Sequence, residues 1–246
     1  MFSSKELLSR KLPDVRVAIG RGTDVGNVER SVQSMGSHNV VIYDDPYELM
    51  DDLVSGNVEA AIRGDMSSSH LLPILKEKVG LSELERVAFM EPIGGRMFIL
   101  APVGIDEGWS NEQRINLAVK SAVLARRVGM GEKIAIMSGG RCEDVGRCKR
   151  VDSSIESAMD IVDELKSRGY DAYHSQILVE DAVRNADILI ATDGITGNVM
   201  FRTLHFVGGA EALGAPVVNM DKVFVDTSRA KTDYRDSIAL AMMLTE

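Results

Sequence analysis

The chain has 246 residues, 45% of them hydrophobic and 26% charged, an ordinary globular composition with room for one large or two small cores. Asp and Glu outnumber Lys and Arg by 37 to 28, a formal charge of −9 that argues against nucleic acid or an anionic membrane as partner and leaves any phosphate-bearing ligand to a local cluster of donors. Its apolar runs fall short of the roughly 20 residues that span a bilayer, and the charged opening MFSSKELLSRKLPD lacks a signal-like apolar region, so a cytoplasmic protein is expected.

The predicted elements alternate between short apolar runs and helix-period segments. The first strand, VRVAIG (15–20), exits into glycines at 20, 22 and 26, and the next, NVVIY (39–43), ends on Asp44-Asp45. That spacing imitates a dinucleotide or S-adenosylmethionine fingerprint, with Gly20 and Gly22 as cofactor-binding candidates, although glycine turns between strand and helix are common. The third strand, VEAAIRG (58–64), ends on Arg63 and leads to Ser67, Ser68 and Ser69. Hydroxyls and free N–H groups at a helix start beside an arginine can hold an oxyanion; an N-cap with a surface arginine would look the same.

After a strand MFILAP (97–102), the stretch VGIDEGWSNEQ (103–113) reads as the domain junction, and a helix over 110–128 starts at Ser110. The strand KIAIM (133–137) opens into the turn Ser138-Gly139-Gly140 and the densest basic stretch, with Arg141, Arg147, Lys149 and Arg150. Such a patch favours a phosphorylated or carboxylated ligand, or is a solvated loop. Cys142 and Cys148, the only cysteines, exclude a disulfide scaffold. None of His38, His70, His174 and His205 stands at metal-pair spacing from another, so no metal is expected.

The best helix spans 153–168, with capping-box spacing at Ser153 and Glu156 and Gly169 closing it. The strand DILIA (187–191) stops at Asp193-Gly194, followed by Thr196-Gly197-Asn198 and a helix-like pattern ending at Gly208-Gly209. Asp193 is expected to orient that turn by accepting backbone N–H bonds. A strand APVVNM (215–220) follows, and then FVDTSRAKTDYRDS (224–237), where Ser228 and Arg229 precede Asp233 and Asp236. Here an arginine and a serine could hold an oxyanion while a carboxylate accepts a proton, or a Thr or Asp could simply cap a helix. Continuous apolar strands alternating with helices predict an α/β fold with mostly parallel sheets, whose ligands bind beyond the strands' carboxyl ends.

These exits, in this order, resemble the phosphate acetyltransferase and butyryltransferase family. DGITGNVMFRTLHFVGGAEALGAP is similar to the family segment with an Asp, then T-G-N, then a helix ending in G-G-A. It is equally similar to the D-G-x-T-G-N-V segment of the bacterial acyltransferase that makes acyl phosphates. NVEAAIRGDMSSSHLLPIL and VDTSRAKTDYRDSI resemble two further family segments, and within the family the nearest pattern is a compact methanogenesis-marker branch, an archaeal group labelled as a methyltransferase subunit. The resemblance implies a two-domain isocitrate/isopropylmalate dehydrogenase-like fold with a cleft between the domains. Residues 1–105 and 215–246 would form the first domain and 106–214 the second.

It also implies catalytic roles for Ser228 and Arg229 with Asp236 or Asp233 as base, since Arg235 occupies the position where the family's Asp follows its Ser. The glycine that follows S-R in the family is Ala230 here. Arg63, Ser67, Ser68, Ser138, Gly139, Thr196, Gly197 and Asn198 would line the substrate site. The implied function is a transferase of a phosphate- or CoA-activated group, with CoA, coenzyme M or phosphate as co-substrate and no tightly bound cofactor. Alternatives are a methyltransferase, or a component of one with partner subunits, in coenzyme M chemistry, and a non-catalytic coenzyme sensor. A homodimer is implied by the family alone.

Overall fold

A computed structural model describes residues 2–23, 26–36, 39–228 and 230–246. In chain order the helices and strands are α1 (Ser4–Ser9), β1 (Val17–Gly20), α2 (Asn27–Ser34), β2 (Val40–Tyr43), α3 (Pro46–Ser55), β3 (Ala60–Ile62) and α4 (Ser68–Val79). Next come β4 (Ala88–Glu91), β5 (Phe98–Ala101), α5 (Asn111–Arg127), β6 (Ile134–Met137), α6 (Lys149–Ser167), β7 (Ala172–Gln176) and α7 (Val179–Asn185). The chain ends with β8 (Ile188–Ile190), α8 (Gly194–Arg202), β9 (Glu211–Pro216), β10 (Val223–Asp226) and α9 (Arg235–Met243). Among these residues no helix is long and apolar enough to cross a membrane.

The chain divides into two compact units, one from Ser3–Leu84 with Leu213–Glu246 and the other from Phe2 with Glu85–Ala212. Residues 85–105 therefore group with the middle of the chain, and the first junction falls ahead of the 103–113 stretch. In the first unit β2, β1, β3 and β10 run parallel side by side, and β9 pairs antiparallel with β10. Ala18, Ala61 and Phe224 of these strands are buried against Leu49, Met50 and Leu53 of α3 and Leu71, Ile74 and Leu75 of α4. Burying each of the larger of these side chains contributes about 1.5–3 kcal/mol.

In the second unit β5, β8, β6 and β7 are parallel, and β4 pairs antiparallel with β5. β5, β6 and β8 are buried along their lengths, as their continuous apolar runs predict. Leu117, Ala118, Ala122 and Ala125 of α5, and Ile155, Ala158, Ile161 and Leu165 of α6, are buried as well.

Two strands escape the sequence pattern. β4 is a short strand antiparallel to β5, and β7 (Ala-Tyr-His-Ser-Gln) is half-covered and lacks an apolar run. The strand expected at 215–220 lies instead at 211–216. Val217 N–H donates to the Phe224 carbonyl at 2.9 Å and closes a hairpin turn over the residues between. α6 starts at Lys149 with Cys148 at its N-cap, not at Ser153. The Asp152 carboxylate accepts the Gly146 N–H at 2.7 Å and puts negative charge in the first helical turn, which favours extending the helix upstream.

Candidate functional site

Where β8 ends, the chain makes a tight polar turn into α8. Asp193 is the N-cap, and its Oδ1 accepts the Thr196 N–H at 2.8 Å. Its Oδ2 lies 3.0 Å from both the Thr192 and Thr196 hydroxyls, which are themselves 3.0 Å apart. Burial opposes ionisation of Asp193, but the Thr196 N–H and the two hydroxyls outweigh it and hold the carboxyl below its usual range. The carboxylate is thus spent on its own turn and is no general base.

The rest of the T-G-N element fastens α8 to the segment after β5. A side-chain carbon on Gly197 would run into the Pro102 carbonyl oxygen, and one on Gly194 into that of Gly104. Asn198 Nδ2 donates to the Val103 carbonyl at 2.8 Å. Gly197 and Asn198 therefore position the turn, and Thr196 is the member of the triplet that reaches open space.

That space is a pocket of about 490 Å³ above the ends of β6 and β8. Thr192, Asp193 and Thr196 border it from the turn into α8, and Cys148 and Arg150 from the first turn of α6, where helix geometry leaves N–H groups without intrahelical partners. Gly139 lies on its wall, and its N–H donates to Ser154 Oγ at 2.7 Å. Ser138 sits behind it, buried, with its hydroxyl donating to the Gly140 carbonyl at 2.8 Å.

Arg114 of α5 also lines this pocket and is only 6% exposed. Its Nη2 donates to Asn111 Oδ1 at 2.7 Å and to Ser157 Oγ, while its Nε has no partner. Burial pulls the guanidinium's affinity for its proton downward; the charge of Asp193 pushes the other way. Among the described residues no carboxylate forms a salt bridge with it, whereas a buried charge ordinarily requires one. The Thr192 and Thr196 protons are turned to Asp193 and that of Ser157 to Asn111, so the donors left for a small anion are the desolvated Arg114 cation, the Ser154 hydroxyl and the N–H groups of the first α6 turn.

The other predicted positions sit at strand exits of the first unit. Side-chain carbons on Gly20 and Gly22 would stand 2.6 Å from the Arg63 and Asp65 carbonyl oxygens, so these glycines let the β1 exit lie against residues 63–65. Arg63 is buried, with Nε on Asp226 and Nη1 on the Met66 carbonyl at 2.6 Å. The Thr227 hydroxyl donates to the Gly64 carbonyl at 2.7 Å, bringing the β3 and β10 exits side by side. Ser67 is the N-cap of α4 and Ser68 its first residue.

Ser228 Oγ accepts the Ala230 N–H at 3.2 Å, and Arg229 lies outside the described residues, as does His38. Asp233 is paired with Arg235, whose guanidinium holds its carboxyl below the usual range. Asp236 behaves oppositely. Burial raises its pKa in spite of the Lys231 ammonium at 2.8 Å. Among the described residues no group of three or more His, Cys, Asp or Glu side chains is arranged to hold a metal ion.

No family model matches the sequence. "Putative methyltransferase mtx subunit X" of Methanosarcina mazei is 40% identical over 207 residues, 84% of this chain and 74% of that one. The protein of the same name from Methanosarcina barkeri is 38% identical over 220 residues, 89% and 81% of the two chains. The chain belongs to this mtx subunit X family. Its fold is that of a branched-chain phosphotransacylase from Enterococcus faecalis, with TM-score 0.71 at 17% identity over 94% of this chain and 99% of that one. A 4-hydroxythreonine-4-phosphate dehydrogenase from Klebsiella pneumoniae shares the fold, with TM-score 0.62 at 11% identity over 94% and 100% of the chains.

In this mtx subunit X relative, the sequence reading missed Arg114, Ser154, Ser157 and Thr192. One signal was available for the first. Arg114 shares a helical stripe with Ala118, Ser121, Ala122 and Ala125, all buried, and an arginine on an apolar stripe is unusual unless something needs its charge.

Proposed function

We propose that this protein is a transferase that holds the anionic part of a small substrate in the pocket of Arg114. The ligand class is phosphate, or the phosphate or sulfonate end of a thiol coenzyme such as CoA or coenzyme M. The observation that carries the proposal is the buried guanidinium of Arg114, salt-bridged to no carboxylate among the described residues, on the wall of a pocket it shares with Asp193 and with serine and threonine side chains. An anion there would add to the counter-charge that Asp193, on the same pocket wall, offers Arg114.

A second reading, methyl transfer to a thiol coenzyme, draws on the name carried by the Methanosarcina relatives. It would use the same pocket for the coenzyme's anionic end. Calorimetric titration with phosphate, acetyl phosphate, CoA and coenzyme M, each followed by product analysis, separates the readings. Binding with acyl or methyl turnover supports a transferase of the corresponding kind. Binding without any product points to a coenzyme sensor. No heat with any of the four ligands refutes the anion pocket.

A further inference from the structure

A second reactive constellation lies at the ends of β6 and β7, apart from the groups assigned to the anion. Ser138 Oγ is 2.8 Å from His174 Nε2, and Cys142 Sγ is 3.9 Å from His174 Nδ1. The Ser138 hydroxyl has a single proton, already donated to the Gly140 carbonyl. It must therefore accept from His174, which puts the ring proton on Nε2 and leaves Nδ1 as a lone pair facing the thiol. Burial lowers the pKa of His174, so the ring is a neutral acceptor near pH 7. The nucleophile is exposed and its base is oriented by a third group, the arrangement expected of an activated thiol.

Gln176 ties the constellation together. Its φ of 60° is the one left-handed value recorded for a non-glycine residue among the described residues, a conformation that persists only where the surroundings enforce it. A register shift between β6 and β7 pairs Met137 with Gln176. The Gln176 carbonyl accepts the Ser138 N–H at 3.0 Å, and its Oε1 accepts the Cys142 N–H at 3.3 Å. One strained residue thus fixes both the group that orients the base and the backbone of the nucleophile.

We infer that Cys142 is a nucleophilic thiol, with His174 as its general base, that accepts an acyl group from a thioester. Cys142 Sγ gives its proton to His174 Nδ1 and its sulfur attacks the thioester carbonyl carbon. The carbon–sulfur bond of the donor breaks, the departing thiolate takes the proton back from His174, and the acyl group remains on Cys142. One thioester replaces another, so no oxidant or reductant is consumed. The class of donor follows from the site. The Cys142 N–H, a natural oxyanion donor, is committed to Gln176, and a thioester is the acyl compound that reacts without a strong oxyanion clamp or an acid to protonate its leaving group.

The test is incubation of the whole chain with S-acetyl-N-acetylcysteamine, an uncharged thioester whose reaction does not depend on the anion pocket, followed by peptide mapping of hydroxylamine-sensitive acetyl groups. Cys148, also exposed, at the N-cap of α6, is the internal control. Acetylation of Cys142 is expected to run at least about tenfold faster than that of Cys148. His174→Ala should abolish the difference without changing the Cys148 rate, and added imidazole should restore it. Equal rates at the two cysteines, or preference for Cys148, would overturn the inference in the unmodified protein even if the variant failed to fold. A His174→Ala chain that folds and keeps the Cys142 rate would overturn it as well. Because the probe carries no anion, a negative result here leaves the Arg114 pocket standing, and loss of phosphate binding leaves the thiol standing.

Discussion

Replacing Arg114 by Met separates binding from folding. The substitution keeps roughly the length of the side chain and removes a guanidinium that is 6% exposed and salt-bridged to no carboxylate among the described residues. Exchanging a buried charge for an apolar side chain of similar volume is often neutral or stabilising. The groups left behind are not orphaned, since the Ser157 hydroxyl donates to Asn111 Oδ1 independently of Arg114. Unfolding stability without ligand should therefore change by no more than about 1 kcal/mol in either direction. Phosphate binding should suffer much more. A hydrogen bond to a charged group contributes about 1.5–3 kcal/mol, which converts to about 10- to 150-fold weaker binding. Urea unfolding gives the first quantity and calorimetric titration with phosphate the second. A variant that binds phosphate as well as the parent, or loses more than about 3 kcal/mol of stability, would show that the guanidinium is a structural strut and would refute the reasoning.

Other changes test the frame around the pocket. Gly197→Ala drives a side-chain carbon into the backbone oxygen of Pro102, and overpacking against atoms that cannot yield should cost at least about 1–3 kcal/mol, read as a lower urea midpoint. Asp193→Asn weakens the acceptor that caps α8. Because the folded carboxyl of Asp193 lies below its ordinary value of 3.8, its contribution is present above that value and is lost as pH falls through the folded pKa. The variant should be about 1 kcal/mol less stable at neutral pH, and the gap should close on acidification; a constant gap across pH would contradict this. Arg63→Ala leaves Asp226 without the guanidinium that faces it and should cost about 3–5 kcal/mol of stability. A variant of unchanged stability that loses ligand binding would instead restore Arg63 as a substrate residue.

The α/β class, the parallel strands β1, β3, β5, β6 and β8, and the cap of α5 at Ser110 were all legible, because continuous apolar runs and capping residues act over a few neighbouring positions. β7 was not, because an edge strand covered on one side needs no apolar run, and its role depends on pairing with β6 across more than thirty residues of chain. The start of α6 was misplaced for a related reason. Ser153 has the right neighbours for a cap, but Ser154 faces Gly139 and Asp152 faces Gly146, contacts made across a loop.

For the site, the sequence by itself determined which turns were rich in donors: Thr196 after β8 and Ser138-Gly139 after β6. These are local chemistry, since an Asp, a Thr and two glycines between a strand and a helix have few ways to satisfy their backbone groups. Only the tertiary structure decided how each of these residues is used. It turned Gly197 and Asn198 toward the segment after β5, spent Asp193 on its own turn, and tied Arg63 to Asp226. It also brought Arg114 to the same pocket as Thr196, and His174 to Cys142. Whether a side chain is free to meet a ligand depends on which partners reach it first, and those partners come from distant parts of the chain.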